Sequence, residues 1–269
     1  MMKAFIHGIG VLGPGLIDWP SSIPILRGEH PFDPTQLPHP SPAFLPPNER
    51  RRSSEVVKWS LEAAFQAVQA SQVDPKLLPV VFASSGGETG ILHNICLSLT
   101  NSPPVVSPTL FHQSVHNAAA GYWSIAWGSQ KSATSLSCYD ASFVGGLLEA
   151  MTCLTIGWED RVLLVSYDIA APLPLYEARP LTGSFAVGMV LGRQPIGSHS
   201  TALEIVPPSA STETSSSMDN KELESLRVGN PAGRSLPLLQ AIAKGGSTTV
   251  VLNFLDPLRV RVDVHPCPR

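Results

Sequence analysis

The stretch ATSLSCYDASFVGGLLEAMTCLTIG, residues 133–157, constrains the fold more than any other part of the chain. A short run of small residues with strand character leads into a turn carrying Cys138, Tyr139 and Asp140. A helix-length segment follows, and then RVLLVSYDI, an unbroken apolar run of core-strand type. Strand, crossover helix and second strand in immediate succession form a βαβ unit, which requires a sheet with helices packed on it. Two glycines, Gly145 and Gly146, sit in the middle of the expected helix. Glycine there costs helix stability, so the helix is expected to be closely approached or thoroughly buried.

The remaining segments extend the same pattern. KAFIHGIGVLGPG reads as an opening buried strand followed by a glycine loop. The region from Trp19 to Pro47 is rich in proline and predicts a long extended excursion on the surface. RRSSEVVKWSLEAAFQAVQAS spaces Val56, Val57, Leu61, Ala64, Phe65 and Val68 as one helical face. A short strand from Val80 to Phe82 feeds the small-residue turn SSGGETG, and ILHNICLSLT follows as a helix. SPPVVSPTLFHQS reads as proline-broken loop. VHNAAAGYWSIAWG predicts a helix with a small face at Ala118, Ala119, Ala120 and Gly121, and GSFAVGMVLG reads as another strand.

After Gly192 the texture changes. TALEIVP predicts a strand, residues 208–222 a polar, serine-rich and mobile linker, GRSLPLLQAIAKGG a short helix, and STTVVLNFLDPLRVRVDV one or two closing strands. The reading is an α/β chain with one unit over 1–192 and a reduced remainder over 193–269.

Bulk properties narrow the function classes. A hydrophobic content of 43% over 269 residues supports a sizeable core. The net charge is −3 and the basic residues are scattered, which argues against nucleic acid. The only basic cluster, NERRRSSEVVK, reads as a solvated helix start or as a docking point for an acidic carrier protein. No run is long and apolar enough for a membrane span, and the opening residues do not resemble a signal peptide. The four cysteines show no paired or zinc-type spacing, so free thiols and a cytoplasmic location are expected.

Several constellations invite chemistry. Gly8, Gly10 and Gly13 form a GxGxxG after a strand, but no long helix and no strand ending in an acid follow at the spacing a dinucleotide needs. SSGGETG could form an anion nest, yet it lacks a phosphate-binding lysine; a tight loop at a pocket floor is the simpler reading. His112 and His116 stand four apart without a third ligand, so no metal is expected, and no cofactor either. Cys138, at a strand end before a helix, is the candidate nucleophile. It requires a base, with His112, His116 and His199 the available histidines, and Asp140 two residues away disfavours a thiolate.

These motifs resemble the thiolase-like β-ketoacyl synthases, specifically the N-terminal half of that fold with a strongly shortened C-terminal half. The resemblance runs through SPTLFHQSVHNAAAGYWSIAWG, TSLSCYDASFVGGLLEA and DRVLLVSYDI. Its landmarks are Ser107, Pro108, Asn117, Ala120, Gly121, Gly128, Ala150 and Asp160. HGIGVLGPG and FASSGGETG resemble the first strand and the glycine loop of that family. The pattern can be laid from Ser107 to Ala150 without a gap, and the family's catalytic cysteine then falls on Asp140. Cys138 falls two residues before it, Tyr139 takes the preceding alanine, and Ser142–Phe143 replaces the Ser/Thr-Gly that follows. The histidine motifs of the family's C-terminal half are missing.

The resemblance therefore implies a chain length factor, the non-condensing partner of an active ketosynthase, of the short type found in bacterial aryl polyene pathways. It implies a heterodimer with that ketosynthase, an acyl carrier protein reached through the complex, and no condensing activity of the chain alone. It further implies that Thr134, Ser135, Leu136 and Ser137 pair across the subunit interface, with Tyr139 and Phe143 close by. Thr109, Leu110 and Phe111 would reach toward an acyl tunnel. Asp140 has three open readings: a helix N-cap, a polar contact across the interface, or a group promoting malonyl decarboxylation. Two alternatives stand beside the main one: a cysteine-dependent acyltransferase or thioesterase using Cys138, and a purely structural thiolase-like scaffold.

Overall fold

The computed structural model describes residues 1–197 and 200–266; His199 and Cys267 lie outside them. The chain opens with β1 (Met2–Leu12), α1 (Trp19–Arg27), α2 (Pro47–Arg52), α3 (Glu55–Ser71), β2 (Val80–Ala83), α4 (Thr89–Leu99), α5 (Pro108–Gln113) and α6 (Ala118–Trp127). The centre holds β3 (Ala133–Leu136), α7 (Ser142–Thr155), β4 (Arg161–Asp168), α8 (Leu175–Ala178) and β5 (Phe185–Gly192). It closes with β6 (Thr201–Ile205), β7 (Ser209–Ala210), α9 (Lys221–Gly229), α10 (Leu236–Lys244), β8 (Thr248–Asn253) and β9 (Leu258–Pro266).

One sheet carries all of it, in the order β3-β2-β4-β5-β1-β6-β9-β7, with β8 on the other side of β9. β2 is parallel to both β3 and β4, whereas β4 is antiparallel to β5 and β5 to β1. The sheet is mixed, so β4 is a parallel-type strand on one edge only. Alternate residues of β4 enter opposite cores, as the pleat requires. Val162 and Leu164 face α7 and the C-terminal helices, while Leu163 and Val165 face α3 and α6. The residues after Gly192 continue this same sheet, because β6 pairs with β1.

The glycines of the GxGxxG run serve packing. β1 extends through Leu12, so Gly8 and Gly10 lie inside the strand rather than in a loop after it. A Cβ on Gly8 would collide with the Ala67 carbonyl oxygen, and one on Gly10 with that of Ala63. Their absence of side chains lets α3 lie directly on the sheet. Ser54 caps α3 by accepting from the Val57 N–H at 3.1 Å, and Val56, Val57, Leu61, Ala64 and Val68 are buried as the spacing predicts. On the other face Gly146 does for α7 what Gly10 does for α3: a Cβ there would stand 2.8 Å from Ala83 and Leu164 atoms.

Two expected irregular segments are ordered by specific contacts. PTLFHQ forms α5, because Gln113 is buried and its side-chain amide donates to the Arg52 carbonyl at 2.8 Å and to Tyr122 Oη at 2.7 Å. The serine-rich linker runs along β8. The Ser216 N–H donates to the Val251 carbonyl, the Val251 N–H to Ser216 Oγ, Ser215 bonds Asn253, and Met218 is buried. α9 begins within that linker, capped by Asn220.

The proline-rich region is not extended throughout, because Trp19–Arg27 forms α1 with Asp18 capping its start; the part before α2 is held by aromatic stacking. Phe44 lies against Phe65 and Trp127, with ring centroids 4.7 and 5.2 Å away. Phe44→Ala is expected to cost about 1 kcal/mol beyond lost burial and to expose the excursion to protease. Limited proteolysis mapped by mass spectrometry checks this; an unchanged cleavage rate would show that the prolines alone hold the segment.

Candidate functional site

The site is built where β3 ends. Tyr139 takes a left-handed backbone (φ 52°), which a bulky side chain adopts only when its surroundings enforce it. Ser142 supplies part of that enforcement: its hydroxyl donates to the Tyr139 carbonyl at 2.6 Å and accepts from the Cys138 N–H at 3.1 Å. The Ala141 N–H closes the turn onto the Cys138 carbonyl at 2.9 Å. This elbow turns the residue that follows Tyr139 out toward the loops above the sheet.

That residue is Asp140, and two arginines hold it. Arg179 donates to Oδ1 at 2.7 Å and Arg234 to Oδ2 at 2.9 Å. Arg179 follows α8 in the β4–β5 connection; Arg234 lies in the 3-10 turn Ala232–Ser235 before α10. Arg179 also donates to Ser85 Oγ at 2.7 Å, and its guanidinium carbon stands 3.8 Å from the Tyr139 ring centroid. Charge-assisted bonds of this kind are short and directional. Two cations around one carboxylate leave the cluster with a net positive charge. Asp140 does not cap α7: that helix has Ala141 as N-cap and no side-chain cap.

The loop after β2 forms the second wall. Ser84–Gly87 is an anion nest, and the chain fills it with its own carboxylate. Asp168, at the end of β4, accepts at Oδ1 from the Ser85 N–H at 2.8 Å, the Gly86 N–H at 3.2 Å and the Ser84 hydroxyl at 3.2 Å. Burial pushes the Asp168 carboxyl up to about 7 despite these bonds. Asn230, fully buried, ties the C-terminal segment to the same point by donating to the Asp168 and Gly183 carbonyls, both at 2.9 Å.

The other expected site residues are placed as follows. Thr134, Ser135 and Leu136 lie on β3, an edge strand that among the described residues pairs only with β2, and Ser137 is exposed just beyond it. Tyr139 is 65% exposed. Phe143, in the first turn of α7, is fully buried in the core of the chain. Cys138 packs its thiol against the start of α7: a Cβ on Gly145 would stand 2.6 Å from Sγ. Thr109 and Phe111 line a groove of about 800 Å³ with Pro108, Val115, Gly121 and Ile125; Leu110, half-buried, is not among its walls. His112 and His116 do not share a helix, because α5 ends at Gln113; His116 instead reaches the Ser84 carbonyl at 3.2 Å. Arg179, Arg234, Asp168 and Asn230 carry no local sequence signal beyond being polar residues in apolar or proline-rich surroundings, as in YEARP and NPAGR.

A strand–elbow–helix site on a mixed sheet fits the family comparison, in which residues 27–249 match the N-terminal domain of beta-ketoacyl synthases. The chain belongs to the β-ketoacyl synthase family. No curated protein matches it. Among solved structures, this β-ketoacyl synthase-like chain is similar to one in the complex of the ketosynthase ApeO with its chain length factor ApeC from Xenorhabdus doucetiae. The TM-score is 0.73 at 23% identity, covering 97% of this chain and 99% of that one. The ishigamide ketosynthase/chain length factor gives 0.75 at 13% identity, covering 99% and 100%. The AntDE:AntF structure, a type II polyketide synthase acyl-carrier protein in complex with its ketosynthase, gives 0.71 at 11%, covering 98% and 99%. At these identities the likeness establishes the thiolase-like fold. Among the described residues no helix is long and apolar enough to cross a membrane.

Proposed function

We propose that this chain is a chain length factor: the non-condensing subunit that pairs with an active β-ketoacyl-ACP synthase in an aryl-polyene-like, type II pathway. The observation that carries this reading is Asp140 in the elbow, bonded to Arg179 and Arg234. A condensing enzyme needs a free thiolate there to take the acyl group from a thioester. A carboxylate held by two guanidiniums has both oxygens engaged and forms no acyl-enzyme.

The surface supports a partner. Large apolar side chains are exposed on consecutive elements: Leu92, Leu97 and Leu99 on α4, Phe111 on α5, Ile125 on α6 and Tyr139 in the elbow. Beside α6 lies β3, the edge strand of the sheet among the described residues, which has one row of unpaired backbone groups to offer. Phe111, 70% exposed at the lip of the groove, is the side chain we assign to limiting the growing acyl chain. Arg52 lines the same groove and Arg51 is exposed beside it on α2, so an acidic carrier protein would meet positive charge at the groove mouth.

Co-expression with the cognate ketosynthase tests this. Phe111→Ala is expected to shift the products toward longer chains by at least one two-carbon unit, and Phe111→Trp toward shorter ones. Products of unchanged length from both variants, in a complex that still assembles, would remove the gating role.

A further inference from the structure

Arg179 and Arg234 carry more donors than Asp140 can accept. A guanidinium has five N–H bonds. Arg179 uses two of them, on Ser85 and Asp140, and Arg234 uses one, on Asp140; all go through Nη2. Among the described residues, Nε and Nη1 of both side chains have no protein partner, and none of these nitrogens is buried. The contact of Arg179 with the Tyr139 ring orients that guanidinium without using an N–H.

Among the described residues, no further acid takes up the surplus charge. Asp168 is buried, its Oδ1 is held by the nest, and burial keeps its proton on up to about 7. Glu177, exposed on α8, bonds neither arginine. Glu224 is taken by Arg227 at 2.7 Å. The cavity beside Arg234, walled by Val144, Arg227, Ser215, Ser216 and Asn253, holds about 10 Å³, room for about one water and not for an organic acid. An anion must therefore come from the open side, where Tyr139 is 65% exposed. Ser137, exposed between the end of β3 and Tyr139, joins that side to the sheet edge.

We propose that the Arg179–Arg234 pair receives one Asp or Glu side chain of the partner subunit. The inference rests on the ketosynthase pairing proposed above and adds the chemistry of its contact at the elbow. Asp140 orients the two guanidiniums, and the partner's carboxylate neutralises the charge that Asp140 leaves. The new bonds are charge-assisted, and they are shielded from water once the two surfaces meet. The receptor is built before the partner arrives. Tyr139, Ser85 and Asp140 fix Arg179, and Asp140 fixes Arg234, so little side-chain freedom is lost on association.

The dissociation constant of the complex with the cognate ketosynthase, measured for the unaltered chain and its variants, tests this. Arg179→Gln combined with Arg234→Gln is expected to weaken the complex about tenfold or more. Asp140→Asn should leave it as tight or tighten it up to about threefold, since both arginines then turn to the partner's acid. A role confined to holding Asp140 would make both changes weaken the complex alike, and that result would overturn the proposal. Carbodiimide cross-linking names the acid. In the chain carrying Asp140→Asn and Arg234→Lys, mass spectrometry should find position 234 joined to an Asp or Glu of the ketosynthase. Phenylglyoxal needs no variant and decides the matter if those chains do not fold: it should modify Arg179 and Arg234 in the free chain and spare both in the complex. Equal modification in the two states, or a complex that forms without a cross-link at 234, would overturn the proposal and leave the partner reading standing. Failure of the unaltered chain to pair at all would overturn both.

Discussion

Stability of the chain is expected to fall as pH rises from 5 to 8. Two buried carboxyls, Glu88 and Asp168, are each pushed up to about 7, mainly by desolvation. A raised carboxyl binds its proton more tightly in the folded state than in the unfolded one. Its contribution is fully present below the unfolded value, near 4, and is lost as pH passes through the folded value, near 7. A shift of this size corresponds to about 3–4 kcal/mol per group at the limit, since one unit is about 1.4 kcal/mol. His7 works in the opposite sense, because burial lowers its pKa and favours folding as pH rises through its ordinary range. The paired substitutions Glu88→Gln and Asp168→Asn isolate the carboxyls. Asparagine keeps an oxygen for the Ser85 and Gly86 amides, so the nest survives. Urea midpoints for the double variant should stay nearly flat over this range and exceed those of the unaltered chain at pH 8. A midpoint that climbs with pH in the unaltered chain would show that both groups are already ionised when folded.

Asp140→Ala is expected to destabilise the chain by about 2–3 kcal/mol, below the full cost of breaking a buried ion pair because the cluster is partly exposed. The substitution leaves Arg179 and Arg234 facing one another without their shared carboxylate. It also frees the guanidinium that lies on Tyr139, the residue held in a left-handed backbone. Combining Asp140→Ala with Arg234→Ala should cost less than the sum of the two single changes, since the second removes a charge the first left unpaired. Strict additivity in denaturant melts would mean that solvent, not the cluster, satisfies these groups.

The elements were legible in the sequence where apolar spacing decides them: α3 from its helical face, β4 from its unbroken apolar run, β3 as a short strand of small residues. The elbow was legible too, because strand, turn and helix are contiguous there. What could not be read is what depends on distant partners. Arg179 and Arg234 stand 39 and 94 residues from Asp140, and nothing near either one marks it. The same blindness affected Gly8 and Gly10, whose spacing suits a nucleotide loop. Their role emerges only with the carbonyls of Ala63 and Ala67 in place. α5 was hidden by its prolines, since the buried bonds of Gln113 that order it are tertiary. The serine-rich segment looked mobile by composition, although Ser215 and Ser216 bond to β8 and Ser209–Ala210 pairs with β9. The burial of Phe143 could not be read either, because alignment fixes a residue's position along the elbow, not the direction in which the first turn of α7 points its side chain.

The most direct measurement is condensation of malonyl-ACP with an acyl-ACP starter by three preparations: this chain alone, the cognate ketosynthase alone, and the co-expressed pair. The account predicts that the pair condenses and co-purifies as a heterodimer, that this chain alone forms no acyl-enzyme and no product, and that inactivating the partner's nucleophile abolishes all turnover. Condensation by this chain alone, or full-length products made equally well by the ketosynthase without it, would contradict the account.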